Sequence, residues 1–263
     1  PKGKANLFQK SLHQWLEKSD LMTVLSSAGR MEMLELNPRP KPRLEIIPNA
    51  IDLNLAATKT RSPAKQPLFF YPAAALSHKN HLQLFQAALD LAESRCDFRI
   101  VICGKETDRL LKDQPMGNTG AEKARRFYHA NRGKLSRHID AMGHCSMDTV
   151  EKFYAQCWAV VLPSRYEGFG LPLVESLARN TPVLCSRLIP FEEQVERYGA
   201  HNWVKWFSPD NTTELATLLE EIISHTKALL PDQFPRENLK KWTWEQVASR
   251  YLEIFEELAQ SSK

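Results

Sequence analysis

No apolar run in this 263-residue sequence approaches the ~18 residues that a membrane-spanning helix needs. Nothing at its start reads as a signal peptide. Cysteine is scarce and badly arranged for a framework. Cys96, Cys103, Cys145, Cys157 and Cys185 are odd in number, and no two have C-x-x-C spacing. That speaks against a disulfide scaffold and against zinc or redox motifs. Several sit among apolar residues as small buried hydrophobes, which fits a reducing, cytosolic compartment. A strong excess of one charge is also missing. A net charge of +4 and a pI ≈ 8.8 permit an anionic ligand without demanding nucleic acid. There is no internal repeat, and no His/Asp/Glu cluster has metal-ligand spacing. The first residue is Pro1 rather than Met, so the expectation is a truncated chain.

What is present is ordinary globular material, with 43% hydrophobic and 25% charged residues. The length is too great for one minimal domain and short for two full ones. Punctuation is densest over residues 38–66. Pro38, Pro40 and Pro42 alternate with Arg39, Lys41 and Arg43, and residues 44–48 carry a short strand signal. Thr58, Arg61, Ser62, Pro63 and Pro67 then mark a polar loop. An inter-domain connection is expected here.

From Pro67 onward, brief apolar strands alternate with amphipathic helices. The strands are expected at 68–71, 98–103, 139–142, 159–162, 183–185 and 204–207, as in a parallel sheet covered on both faces. One helix face is read from Leu82, Phe85, Leu89 and Ala92, and another from Val150, Phe153, Tyr154 and Cys157. Asn211 and Glu214 resemble a capping box before a third. The alternation predicts an α/β fold with a doubly wound, Rossmann-like sheet. Residues 112–137, rich in Lys and Arg, are expected to be a solvated loop-plus-helix insertion, with an anion-facing patch as the alternative. A last helix is expected from Thr243, with the stripe Trp244, Val247, Ala248, Tyr251, Phe255 and Leu258 packed on something.

In an open α/β sheet, ligands bind beyond the carboxyl ends of the strands. The richest such segment follows the strand at 159–162. It runs Pro163, Ser164, Arg165, Tyr166, Glu167, Gly168, Phe169, Gly170, Leu171, Pro172 and on to Glu175. The glycines let backbone amides approach an anion, and a helix opening near Leu171 adds unpaired N–H donors and the positive end of its dipole. Glu175, one turn into that helix, has the chemistry to accept hydrogen bonds from a ribose diol. Glu167 would face whatever hangs from the distal phosphate, and a second carboxylate suits a sugar better than a bare phosphate. The ordinary alternative is a Gly-rich turn with two solvated glutamates. Lys79 follows the strand at 68–71 on the same edge, flanked by His78 and His81. His78 is read equally as phosphate-facing or as a surface histidine.

The Glu167-x₇-Glu175 pair within this segment resembles the signature of the retaining family-4 glycosyltransferases (glycosyl transferases group 1) of GT-B fold. The similarity extends to Ile47, Pro48, Asn49, Ala50, Ile51 and Asp52, which resemble the segment joining that family's two domains. It also takes in Ser77, His78, Lys79, Asn80 and His81, then Gly143, Thr181, Pro182 and Val183, and the closing Trp-rich helix. Together it covers roughly residues 15–258. The resemblance implies the C-terminal, donor-binding half of a GT-B fold with a partial first domain. Residues 1–50 would be a remnant of the acceptor-side domain, 51–66 a linker, 67–241 the nucleotide-sugar-binding domain and 242–263 a closing helix.

The resemblance also implies roles. Glu167 and Lys79 would be catalytic. Glu175, Gly168, Phe169, Gly170, Leu171, His78 and Ser186 would bind the donor, Ser186 within a stretch to Glu192 that caps the base and ribose. No cofactor or metal is implied, since helix dipole and basic residues supply positive charge. The partners would be a nucleotide sugar, a saccharide or lipid-linked saccharide acceptor and the missing N-terminal domain, with no nucleic acid. The implied function is hexosyl transfer with retention in cell-surface polysaccharide or lipopolysaccharide synthesis, often by mannosyltransferases, in the cytoplasm or at the inner face of the membrane. Two alternatives stay open: a non-catalytic nucleotide-sugar-binding module, or a nucleotide-sugar epimerase sharing the fold. One departure stands out. Many relatives carry an Arg where this chain has Ala74, leaving His78, Arg165 or Arg187 as candidate substitutes.

Overall fold

Among the described residues from Pro67 onward, short apolar runs become strands and the amphipathic runs between them become helices. The structure, a computed structural model, describes residues 2–52, 61–224, 233–235 and 237–261, with side chains from residue 10. In chain order it places α1 (Lys2–Lys18), β1 (Leu21–Val24), α2 (Ser27–Leu36), β2 (Arg43–Ile46), β3 (Leu68–Pro72), α3 (His81–Glu93), β4 (Arg99–Cys103), α4 (Thr119–Ala130), α5 (Arg132–Leu135) and β5 (Ile139–Ala141). Then follow α6 (Met147–Gln156), β6 (Ala159–Leu162), α7 (Leu171–Ala178), β7 (Val183–Ser186), α8 (Ile189–Tyr198), β8 (Val204–Phe207), α9 (Thr212–Ser224), α10 (Glu237–Lys240) and α11 (Trp244–Ser261).

The chain divides into two compact units. One is Leu53–Asn238; the other joins Pro1–Asp52 to Leu239–Lys263. The expected linker lies in part, at 53–60, outside the described residues.

The larger unit is the expected α/β doubly wound sheet. Its six strands run in the order β5-β4-β3-β6-β7-β8, every neighbour parallel. The chain winds outward from β3 through β4 to β5, returns to β6, and winds the other way to β8. Between β3 and β6 the direction reverses, and such a switch point opens a crevice at the carboxyl ends of its strands. All four residues of β6 and of β7 are buried, as a sheet covered on both faces requires. Helix α3 packs on α4, α5 and α9, while α7 packs on β6 and α8.

The smaller unit has a two-stranded parallel sheet, Leu21 paired with Arg43 through Val24 with Ile46. Its core is Ile47, Ala50, Val247 and Ile254, with Leu21, Trp242, Tyr251 and Leu258 packed around it. Ile51 and Thr243 form a parallel bridge.

Two helix faces differ from expectation. On α3 the buried residues include Leu84, Phe85, Ala88 and Leu91 rather than Leu82 and Leu89, which are half-buried. On α11 the buried stripe is Val247 and Ile254, flanked by Tyr251 and Leu258. Of the expected stripe, Val247, Tyr251 and Leu258 pack on the core, while Trp244 and Phe255 stand 63% and 58% exposed. The basic segment 112–137 forms α4 and α5. Its Lys112, Arg125, Arg126 and Lys134 pair with Asp108, Glu122, Glu122 and Glu93. Arg125 is buried against Glu122, while Lys112, Arg126 and Lys134 face solvent, each paired with a carboxylate.

Candidate functional site at the strand crevice

The two loops flanking the switch point meet there. After β3, residues Ser77–Lys79 make one tight 3₁₀ turn. Asn80 closes it in the left-handed region at φ 54°, which asparagine tolerates better than most residues. Its buried amide donates to Gln83 Oε1 at 2.8 Å and to the Pro209 carbonyl at 3.0 Å. Gln83 in turn donates to the Ser208 and Asn211 carbonyls. The Tyr71 hydroxyl donates to the Lys79 carbonyl at 2.5 Å. The backbone of Lys79 is therefore fixed from several sides.

From the β6 loop, Glu167 reaches across to it. Lys79 Nζ lies 2.5 Å from Glu167 Oε1, with the two side chains only 16% and 10% exposed. The Ser164 hydroxyl donates to the same oxygen at 2.7 Å. Behind it, the Ser186 hydroxyl donates to the Ser164 carbonyl at 2.5 Å. Ser186 is fully buried, so its hydroxyl braces the loop and faces no open crevice. The Arg165 amide donates to the His78 carbonyl at 2.7 Å, which ties the two loops by backbone as well.

Downstream, Gly170 has φ +90°, and a Cβ there would come 2.5 Å from a ring carbon of Phe191. Only glycine serves, on both counts. It precedes α7, which has Pro172 in its first turn and no side-chain cap. The first N–H groups of a helix have no intrahelical carbonyl to bond, so this terminus presents donors and a positive dipole end. Leu173, Val174 and Leu177 are fully buried, as expected for the inner side of α7. Phe169 is buried, Leu171 is exposed, and Gly168 has open space where a side chain would be. Gln194, wholly buried, donates to the Phe169 carbonyl at 3.2 Å.

Glu175 sits one turn into α7, half-buried. Its Oε2 accepts from the Tyr154 hydroxyl at 3.0 Å. Burial first, and the Lys79 charge next, lower the pKa of His78. His81 is wholly buried with its pKa lowered to about 3 by burial and then Lys79. Neither of its ring nitrogens has a hydrogen-bond partner among the described residues. The side chain of Arg165 pairs with Asp210 at 3.0 Å. Arg187 pairs with Glu192 at 3.4 Å and lies over the Trp206 ring. A hollow of about 550 Å³ adjoins Arg187, Trp206 and Ser208.

The structure thus brings Lys79, Glu167, His78 and the Gly168–Leu171 turn to one crevice edge, with Glu175 on the helix that follows. Sequence reading missed Ser164, Tyr71, Gln194 and the partners of Glu175. In the sequence, Tyr154 counts only as one residue of an apolar helix face. Its phenol was the available signal, since a buried tyrosine hydroxyl ordinarily finds a partner. Among the described residues no group of three His, Cys, Asp or Glu is placed to hold a metal ion, and no helix is long and apolar enough to cross a membrane.

Comparison with known proteins bears on the same region. The profile of the family described as Glycosyl transferases group 1 matches residues 55–237. The O-antigen chain mannosyltransferase B of Escherichia coli is 26% identical over 209 residues, covering 76% of this chain and 51% of that protein. Among solved structures, the sucrose-phosphate synthase of Thermosynechococcus elongatus superposes with a TM-score of 0.75 at 20% identity, over 96% of this chain and 62% of that one. The Anabaena protein HepE, solved in complex with UDP, superposes with a TM-score of 0.69 at 17% identity, over 96% and 68%. The chain therefore spans about half the length of the mannosyltransferase it matches.

Proposed function

The chain belongs to the Glycosyl transferases group 1 family, and on that footing we propose that it is the donor-binding half of a retaining glycosyltransferase. It transfers a sugar from a nucleoside-diphosphate sugar to a hydroxyl of a saccharide or lipid-linked saccharide acceptor. The observation that carries this reading is the contact of Lys79 with Glu167 across the switch point, beside the uncapped start of α7.

In this reading the distal phosphate sits on the backbone of Gly168, Phe169, Gly170 and Leu171 at the positive end of α7. Lys79 turns from Glu167 to the diphosphate. Glu167, still held by the Ser164 hydroxyl, is then left to accept hydrogen bonds from the sugar hydroxyls. Glu175 accepts from the ribose. As the anomeric C–O bond breaks, charge builds on the departing phosphate, where Lys79 and the helix dipole stabilise it. The acceptor hydroxyl attacks from the same face as the phosphate leaves, its proton passing to the departing phosphate oxygen, which gives retention. His78 adds a nearby polar ring, and the 186–192 stretch borders the nucleoside side.

Mannose is the sugar we propose, from the name of the Escherichia coli relative, with assembly of cell-surface polysaccharide as the setting. The work is done in the cytoplasm, at the inner face of the membrane where the acceptor is lipid-linked. Calorimetry with UDP, GDP and ADP and their sugars tests the reading; binding of none of them would sink it. A non-catalytic binding module is favoured by one observation, the absence of a cation at Ala74. The natural full-length protein decides that: donor binding without turnover selects the module. Product formation without any acceptor would instead select epimerisation.

A further inference from the structure

We propose that Tyr154 is a positioning residue that presents the Glu175 carboxylate to the ribose diol of the donor, and that Arg179 and Glu151 hold Tyr154 in place. The proposal rests on the donor-binding reading above.

The geometry forms one connected chain from α6 to α7. Glu151 and Tyr154 share α6, and Glu175 stands on α7, which Arg179 terminates. Arg179 grips the Glu151 carboxylate through Nε, at 2.9 Å from Oε2, and through its terminal nitrogen. Both side chains are less than a tenth exposed. The other terminal nitrogen donates to the Glu175 carbonyl at 2.9 Å. The guanidinium also lies 4.5 Å from the centre of the Tyr154 ring. On that ring Phe70 of β3 packs edge-on at 5.1 Å. The phenol, 1% exposed, therefore has little freedom except to point at Glu175.

Burial, and next the Glu175 carboxylate, hold the Tyr154 hydroxyl well above the ordinary phenol range. It remains a donor at every working pH. An ionised carboxylate offers about four lone-pair sites. Tyr154 occupies one on Oε2 and thereby fixes the rotation of the group. The remaining sites keep a defined direction, which is what two vicinal hydroxyls need in order to bond both oxygens together. A carboxylate free to rotate would lose that order on binding, and preorganisation raises affinity by removing the loss. A hydroxyl that merely satisfied itself in the core would affect all ligands alike. A positioning hydroxyl acts only through the diol.

That difference supplies the test. Calorimetry would use whichever of UDP, GDP and ADP binds tightest, beside its 2′,3′-dideoxy analogue, on the full chain and on Tyr154→Phe. The wild type should prefer the ribo form. Tyr154→Phe should lose about five- to tenfold in affinity for the ribo form and stay within about twofold for the dideoxy form. Arg179→Lys, which keeps the charge but loses the fork and the stack, should shift the same selectivity in the same direction by less. Equal losses on both ligands, or an unchanged preference in Tyr154→Phe, would overturn the proposal while leaving donor binding intact. A wild type that bound no nucleotide would overturn the donor-binding reading itself, and this proposal with it.

Discussion

The Lys79–Glu167 pair and the Arg179–Glu151 pair are both largely withdrawn from solvent, with exposures of 16% and 10% in the first and 8% and 9% in the second. They are built differently. Lys79 is a point charge with three donors, and its ammonium has one partner among the described residues, Glu167. Arg179 uses its fork on Glu151, its remaining nitrogen on a backbone carbonyl and its face on Tyr154. An arriving diphosphate has the means to take Lys79 from a single carboxylate oxygen. Nothing comparable can unseat Arg179. In the proposed donor-binding reading the first pair is the exchangeable one and the second stays closed, so that the crevice would reorganise without loosening the helix behind it.

Breaking the permanent pair should have the largest effect. Glu151→Ala strands a buried guanidinium and should cost about 3–5 kcal/mol of stability in urea unfolding. Pairing it with Arg179→Met should recover most of that loss, because the orphaned charge is gone. Lys79→Ala leaves Glu167 with the Ser164 hydroxyl and should cost clearly less stability than Glu151→Ala, while turnover falls about 10²–10³-fold. A stability loss as large as that of Glu151→Ala would erase the contrast. Glu175→Ala should weaken nucleotide binding by about 1–3 kcal/mol in calorimetry.

At neutral pH the smallest expected effect belongs to His81, buried beside Lys79, because its contribution is revealed only on acidification. Its folded pKa of about 3 lies below the ordinary 6.5. Between those values the unfolded chain binds a proton that the fold refuses. This contribution to stability is therefore complete above pH 6.5 and falls by about 1.4 kcal/mol per pH unit as the solution is acidified toward pH 3. His81→Leu should flatten that slope in unfolding curves taken from pH 7 to pH 4. An unchanged slope would mean that the ring finds a proton in the fold.

The sheet was legible because its signals are local. Strands β6 and β8 fall on the expected residues, since each is a short apolar run closed by a punctuating residue, Pro163 or Ser208. The meeting of Lys79 and Glu167 was legible through topology, as both follow strands that flank a reversal. The helix faces were less so. On α11 the expected stripe mixes Val247, Tyr251 and Leu258, which pack, with Trp244 and Phe255, which do not, and it omits Ile254; only the core of the smaller unit selects among them. The support behind Glu175 was invisible for a different reason. Charged residues are rarely buried, so Glu151 and Arg179, 28 residues apart in sequence, give no sign that each is the other's reason for being inside. Gln194 and Ser164 are similar: their roles are fixed by carbonyls and carboxylates that only the fold brings near.

The smaller unit, gathered from Pro1–Asp52 and Leu239–Lys263, has a consequence for how the protein is made. Its core requires Val247 and Ile254 of α11 beside Ile47 and Ala50. Roughly 190 residues of chain must be synthesised between the two contributions, and such distant contacts form slowly. During translation Ile47 and Ala50 wait for Val247 and Ile254 to be made. The larger unit, contiguous in the chain, has all its strands before α11 exists. A product ending before Trp244 would therefore carry a complete six-stranded sheet while Ile47 and Ala50 lacked Val247 and Ile254, a marked target for chaperones and proteases.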